Sequence, residues 1–223
     1  RFAALNAGLD DPDPLVRLGA VQGIEGLPVE NRWAATAPLL ADTVRAVRLA
    51  VVALLMNLPP DQLTPEQRAA LEPGVAEYLE VQTAAADRAE GRANRALVWQ
   101  YRGDAARAEA DLEAAIRLDP TFTAARVNLA DLLRATGRDA AGEAVLRAGI
   151  AALPEDPSLH HALGLWLVRA GQRPAALAAL RRALERAPDS VRYAYVYAIA
   201  LNSTGRSAEA VRVLEESARH HPA

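Results

Sequence analysis

The chain has 223 residues, no cysteine and a formal net charge of −3. That balance argues against a nucleic-acid surface, which needs a concentrated basic stripe, and the missing cysteine excludes disulfides, thiolate metal sites and a thiol nucleophile. Hydrophobic residues make up 51 % but aromatics only 4 %, so the apolar content is mostly Ala, Leu and Val and favours close helix packing over a sheet.

All 25 basic residues are arginine. A compositional bias of the source genome accounts for this; selection for bidentate carboxylate recognition is the alternative. The chain opens on Arg1-Phe2-Ala3-Ala4-Leu5, part-way into a helix, and reads as a fragment to which a signal peptide or a covalent upstream domain belongs, so its compartment stays open. Apolar periodicity predicts helices over 2–8, 15–26, 30–40 and 44–57, with Pro38 bending or ending the third.

Residues 1–60 carry a repeat of 31 residues, which aligns Asp11 with Asp42, Val16-Arg17-Leu18 with Val47-Arg48-Leu49 and Leu27-Pro28 with Leu58-Pro59. Asp13-Pro14-Leu15-Val16-Arg17 resembles the HEAT-like repeats, and the resemblance implies contacts between an Asp in one turn and an Arg early in a neighbouring helix. The second copy, Thr43-Val44-Arg45-Ala46, lacks the proline. The longest apolar run, Leu49–Met56, is far short of the roughly 18–20 residues that span a membrane, so no insertion is expected.

Pro59-Pro60 then breaks the chain, and residues 61–88 read as a helical junction. Thr64-Pro65 is an N-cap followed by proline at the first helical position, which predicts a short helix to about Glu72. After Pro73 a second helix runs from Val75 to about Ala85. Set in the register of the repeats that follow, Tyr78 and Val81 fall at packing positions, so this is a degenerate half repeat joining two arrays. No Gly/Ser linker interrupts the chain, which favours one continuous solenoid.

From Ala89 to Pro222 the period is 34 residues. Prolines 120, 154, 188 and 222 share one register position, and glycines 103, 137, 171 and 205 another. Small residues recur at position 8 (Ala96, Ala130, Gly164, Ala198), position 20 (Ala108, Gly142, Ala176, Ala210) and position 27 (Ala115, Gly149, Ala183, Ser217), and leucine at position 24 (Leu112, Leu146, Leu180, Leu214). Each repeat offers two helices with a glycine C-cap between them and a proline after them. Small residues let the pair approach and leucine fills the space beside them.

The pattern resembles the tetratricopeptide repeat (TPR) family, with repeats at 89–122, 123–156, 157–190 and 191–222. The fold expected is all-α: a right-handed α-α superhelical solenoid of TPR hairpins preceded by HEAT-like repeats. Position 28 ends on Ala218 and position 30 on His220, smaller or more polar than earlier copies, as in a terminal cap.

No residue pattern supports an enzyme. His160-His161 and His220-His221 are adjacent pairs, whose side chains diverge by about 100° on a helix and chelate poorly. Carboxylates such as Glu109 and Asp111 read as solvated helix faces, and no serine has a nucleophile-elbow context. Neither a metal nor a cofactor is expected.

The TPR resemblance implies a protein or peptide partner held in a concave groove lined by the first helices. Carried over by register, that groove contains Asn94, Gln100 and Tyr101 from the first repeat and Asn128, Asp131 and Arg134 from the second. The third gives His161 and Arg169, and the fourth Arg192, Tyr195 and Asn202. Arginines outnumber carboxylates, which suggests an extended or helical, acidic partner. The chaperone-binding clamp of this family places Lys and Asn where this chain has Ala93 and Leu97, so a chaperone tail is disfavoured. Asn128-Leu129-Ala130-Asp131-Leu132 and His160-His161-Ala162-Leu163-Gly164-Leu165 are also similar in wording to the C-terminal region of bacterial multihaem cytochrome c proteins. Their CxxCH motifs are absent here. That resemblance implies the alternative reading, a structural accessory domain of a larger exported redox protein, and so a periplasmic rather than a cytoplasmic location.

Overall fold

The computed structural model describes residues 2–24, 26, 28–58 and 62–220. These form thirteen α-helices, one 3-10 turn and, among the described residues, no strand. Leu27, the Pro59-Pro60 break, His221, Pro222 and the side chain of His220 lie outside what is described. The chain divides into two compact units, Arg1–Asp111 and Leu112–Ala223.

In the first unit α1 (Phe2–Leu9), α2 (Pro14–Ile24) and α3 (Val29–Thr36) lead into the 3-10 turn Ala37–Ala41, where Pro38 ends α3. Helices α4 (Arg45–Met56), α5 (Pro65–Ala84) and α6 (Ala89–Tyr101) follow. Val21, Ile24, Val51, Val52, Leu55, Leu71, Val75 and Val98 meet in one core. Thr64 caps α5, with its hydroxyl accepting from the Gln67 amide and the Gln67 side chain returning to the Thr64 amide.

One expectation fails here. The helices predicted on either side of Pro73 are a single helix of 20 residues, with Pro73 inside it. Proline leaves the Ala69 carbonyl without its helical donor, but Ala69 and Pro73 are both exposed, so water can take that carbonyl. Leu71, Val75 and Tyr78 are buried on one face across the proline. Packing on both sides therefore holds a continuous helix that local propensity would break.

From Ala89 the helices alternate 13 and 14 residues: α6, α7 (Ala105–Leu118), α8 (Thr123–Ala135), α9 (Asp139–Ala152), α10 (Pro157–Arg169), α11 (Arg173–Arg186), α12 (Val191–Ser203) and α13 (Ser207–His220). Within the second unit α8–α9, α10–α11 and α12–α13 pack as hairpins, and successive hairpins meet through α9–α10 and α11–α12. Gly103, Gly137, Gly171 and Gly205 all have φ between +71° and +81° between the helices of a pair, a left-handed backbone that favours glycine. The small positions are buried throughout. Leu112, Leu146 and Leu180 are buried as expected, whereas Leu214 is 41 % exposed.

A recurring hydrogen bond ties helix starts to the turns that precede them. Arg17 and Arg48, one 31-residue period apart, donate to the carbonyls of Asp11 and Asp42, each six residues back. Arg92 does the same to Ala86 and Arg126 to Pro120. In the third 34-residue repeat His160 takes over, its Nε2 lying 2.8 Å from the Pro154 carbonyl. His160 is thereby a turn-fixing residue, buried among the helices. Arg17 also forks onto Asp42 through Nε and Nη2 at 2.7 and 3.0 Å, the Asp–Arg contact expected between the two copies, while Arg48 forks onto Glu77.

Ala176 is 1 % exposed and packs in the cluster of Leu163, Trp166 and Leu167. Ala176→Leu should therefore destabilise by about 1–3 kcal/mol through overpacking, whereas Arg182→Ala, on the exposed face of α11, should change stability by at most about 0.5 kcal/mol. Urea denaturation of both variants checks the register; equal midpoints would refute it.

Candidate interaction site

The residues expected to line a groove divide between the two units. In the first, the Asn94 amide donates to Gln82 on α5, Gln100 is exposed, and Tyr101 packs half-buried against the core with its hydroxyl pKa raised by burial and by Glu72. Tyr101 is thus committed to packing rather than presented to a partner.

In the second unit α8, α10 and α12 enclose a cavity of about 310 Å³. Asn128 and Asp131 of α8, His161 and Arg169 of α10, and Arg192 of α12 all line it. These positions converge because equivalent first helices lie side by side in stacked hairpins. Arg134 lines an adjoining depression that shares Trp166 and Arg169. Tyr195, 57 % exposed, and Asn202, which accepts from the Ser207 hydroxyl, line neither.

Cationic groups dominate. Asp131 faces Arg134 at 3.7 Å and Arg169 at 3.9 Å, beyond hydrogen-bond length, and Arg192 makes no ion pair among the described residues. The floor is apolar, built from Val127, Ala130, Leu146 and Leu165. His161 is 5 % exposed and its ring lies 4.6 Å from that of Tyr193, tilted by 36°. Burial, followed by the charge of Arg192, lowers its pKa to about 4. Among the described residues neither of its ring nitrogens has a hydrogen-bond partner, nor has Nε1 of Trp166, which is 7 % exposed.

Trp166 and Tyr193 also line the cavity, although their repeat positions, 10 and 3, belong neither to the groove set nor to the packing set read from the sequence. A signal was present. Position 10 reads Val98, Leu132, Trp166, Ala200, so one copy carries a ring far larger than its equivalents, with a polar atom that an aliphatic core cannot satisfy.

No curated protein matches the sequence. Among solved structures, a crystal structure of MamA is 19 % identical with a TM-score of 0.51, covering 70 % of this chain and 91 % of that one. MamA from residue 41 onward, of Desulfovibrio magneticus RS-1, is 18 % identical with a TM-score of 0.52, covering 77 % and 98 %. At these identities the likeness speaks for the fold. Two sequence families described as tetratricopeptide repeat match residues 101–165 and 161–223, together more than half of the chain. With the 34-residue period, the paired helices and the four left-handed glycines, this makes the chain a member of the tetratricopeptide repeat family.

Proposed function

We propose that this chain is a protein-interaction scaffold that holds an extended or helical, acidic segment of a partner along the first helices of its repeats, with Asn128, Asp131, Arg134, His161, Arg169 and Arg192 as the recognition surface. The observation that carries the reading is the donor-rich cavity between α8, α10 and α12, where Arg169 and Arg192 stand against the one carboxylate Asp131, with Arg134 and Asp139 on the adjoining depression. Guanidinium groups recognise carboxylates through paired N–H donors, and an Asn amide can hold a partner's main chain. Tyr195, exposed on α12, extends the surface as a rigid apolar wall, and Asn202 lies further along the same helix.

The test uses an array of acidic, neutral and basic peptides. Acidic members should bind, and less tightly as salt rises. The double variant Arg134→Ala/Arg169→Ala should weaken that binding by about tenfold for each charge-assisted hydrogen bond removed. The control Arg147→Ala/Arg182→Ala, on exposed second-helix surface, should leave it unchanged. Binding abolished only in the control would move the site to the second helices, and binding retained in both would remove it from the cavity.

A further inference from the structure

We propose that the cavity between α8, α10 and α12 is a socket for one carboxylate-bearing side chain of the acidic partner, and that seating this carboxylate draws a proton from solvent onto His161, so that the partner is held more tightly as the pH falls. The inference rests on the reading of the chain as a scaffold for acidic segments and adds to it a specific anchor and a proton.

Two side chains that are more than nine-tenths buried, His161 and Trp166, line the cavity, and their ring nitrogens, themselves buried, have no hydrogen-bond partner among the described residues. Buried polar groups are almost always paired, so these mark a place where a ligand supplies the partner. The chemistry of that partner follows from the donors. Indole N–H and guanidinium groups donate only, and a neutral imidazole donates from one nitrogen. Among the described residues the one carboxylate on the cavity, Asp131, already faces two arginines. A group that only accepts hydrogen bonds and carries negative charge satisfies this set. The apolar floor suits the methylene stem behind it.

The proton follows from what surrounds His161. α8 presents Asp131, with Arg134 beside it; α12 presents Arg192 and Tyr193; α10 itself presents Arg169; α9 contributes Leu146 and, on the adjoining depression with Arg134, Asp139; and α11 lines none of the cavity. The charged groups are thus mostly cationic; burial first, and then the charge of Arg192, lower the pKa of His161 to about 4, so the ring is neutral well above that pH. In the free protein this favours acid unfolding, because below the ordinary histidine range the unfolded chain takes up a proton that the folded chain refuses. A carboxylate placed against the ring reverses the balance: its charge offsets Arg192 and it accepts the added N–H. The step moves one proton from water to His161 and forms no covalent bond.

The experiment titrates the full chain with acetyl-glutamate methylamide, a single capped glutamate, against capped glutamine, at constant ionic strength. The His161 ring resonance is followed by NMR and assigned with His161→Gln. Free His161 should titrate near 4. If the bound carboxylate returns it to the ordinary value near 6.5, linkage makes capped glutamate bind roughly twentyfold more tightly at pH 5 than at pH 7. His161→Gln should bind without that slope, and Trp166→Phe, which keeps the ring but loses the N–H, should bind more weakly at both pH values. Binding of capped glutamate with no pH slope and an unmoved His161 midpoint would overturn the proton uptake, while leaving the acidic-partner reading intact. Absence of binding, or equal binding of capped glutamine, would overturn the socket; the peptide array with Arg134→Ala/Arg169→Ala then decides the wider reading separately.

Discussion

Replacing Gly91 by alanine is expected to destabilise the unit Arg1–Asp111 by about 3 kcal/mol or more, among the larger costs of a single methyl group. Gly91 lies in the first turn of α6, with ordinary helical backbone. Its constraint is therefore one of space, because a Cβ there would stand 2.6 Å from the carbonyl carbon of Ala85 and closer still to its oxygen. Backbone cannot swing aside as a flexible side chain does. The turn joining α5 to α6 would have to shift, and with it the Ala86 carbonyl that accepts from Arg92 at 2.7 Å. Gly19 in α2 provides the opposite case, since nothing lies within 4 Å of a Cβ added there. Gly19→Ala should stabilise by about 0.5–1 kcal/mol, through the lower conformational entropy of alanine in the unfolded chain. Urea denaturation of the two variants should shift in opposite directions. A Gly91→Ala midpoint equal to that of the parent would mean that the α5–α6 turn is loosely held.

The same close approach of backbones explains why the repeats were legible. A Cβ on Gly142 would meet the Ala130 carbonyl oxygen at 2.9 Å, and one on Gly164 would meet the Leu180 backbone nitrogen at 3.2 Å and its side chain at 2.6 Å. Small residues recur every 34 positions because each repeat brings two helix backbones together at the same points, so the period records the fold directly. Interactions that depend on one side chain leave no such record. Pro73 signals a helix end by local chemistry, and only the burial of Leu71 and Val75 on either side overrides it. His160 and His161 look alike in the sequence, yet one faces the Pro154 carbonyl and the other a cavity. The candidate site was half legible for the same reason. Asn128, Asp131, His161, Arg169 and Arg192, positions inherited from the repeat register, line the cavity, whereas Trp166 and Tyr193 line it from positions outside that set. Asp111 was misread altogether: a carboxylate expected on a solvated face is 3 % exposed.

Asp111→Asn should in turn cost about 3 kcal/mol at neutral pH. Asp111 on α7 receives Arg95 through Nε at 2.6 Å and Nη2 at 2.5 Å, Arg92 through Nη1 at 3.0 Å, and the indole N–H of Trp99 at 2.9 Å. Arg107 lies over the Trp99 ring, 4.9 Å from its centre. One carboxylate thus fixes three side chains of α6 against α7. Neutralising it leaves two guanidinium groups without their counter-charge; the cost falls at the low end for a broken buried pair because Arg92 keeps 32 % of its side-chain surface in water. Burial disfavours the ionised carboxylate, but the bonds from Arg95, Arg92 and Trp99 together outweigh it and hold the pKa of Asp111 below the usual carboxylate value. A depressed carboxylate contributes its full stability above its unfolded pKa and loses it as the pH falls through the folded one. The gap in urea midpoint between the parent chain and Asp111→Asn should therefore be widest from pH 5 to 8 and close as the pH is lowered below about 4. Asp131→Asn, whose side chain is 55 % exposed, should change stability by no more than about 0.5 kcal/mol across that range. A gap for Asp111→Asn that persists undiminished at low pH would assign the effect to packing shape instead of charge.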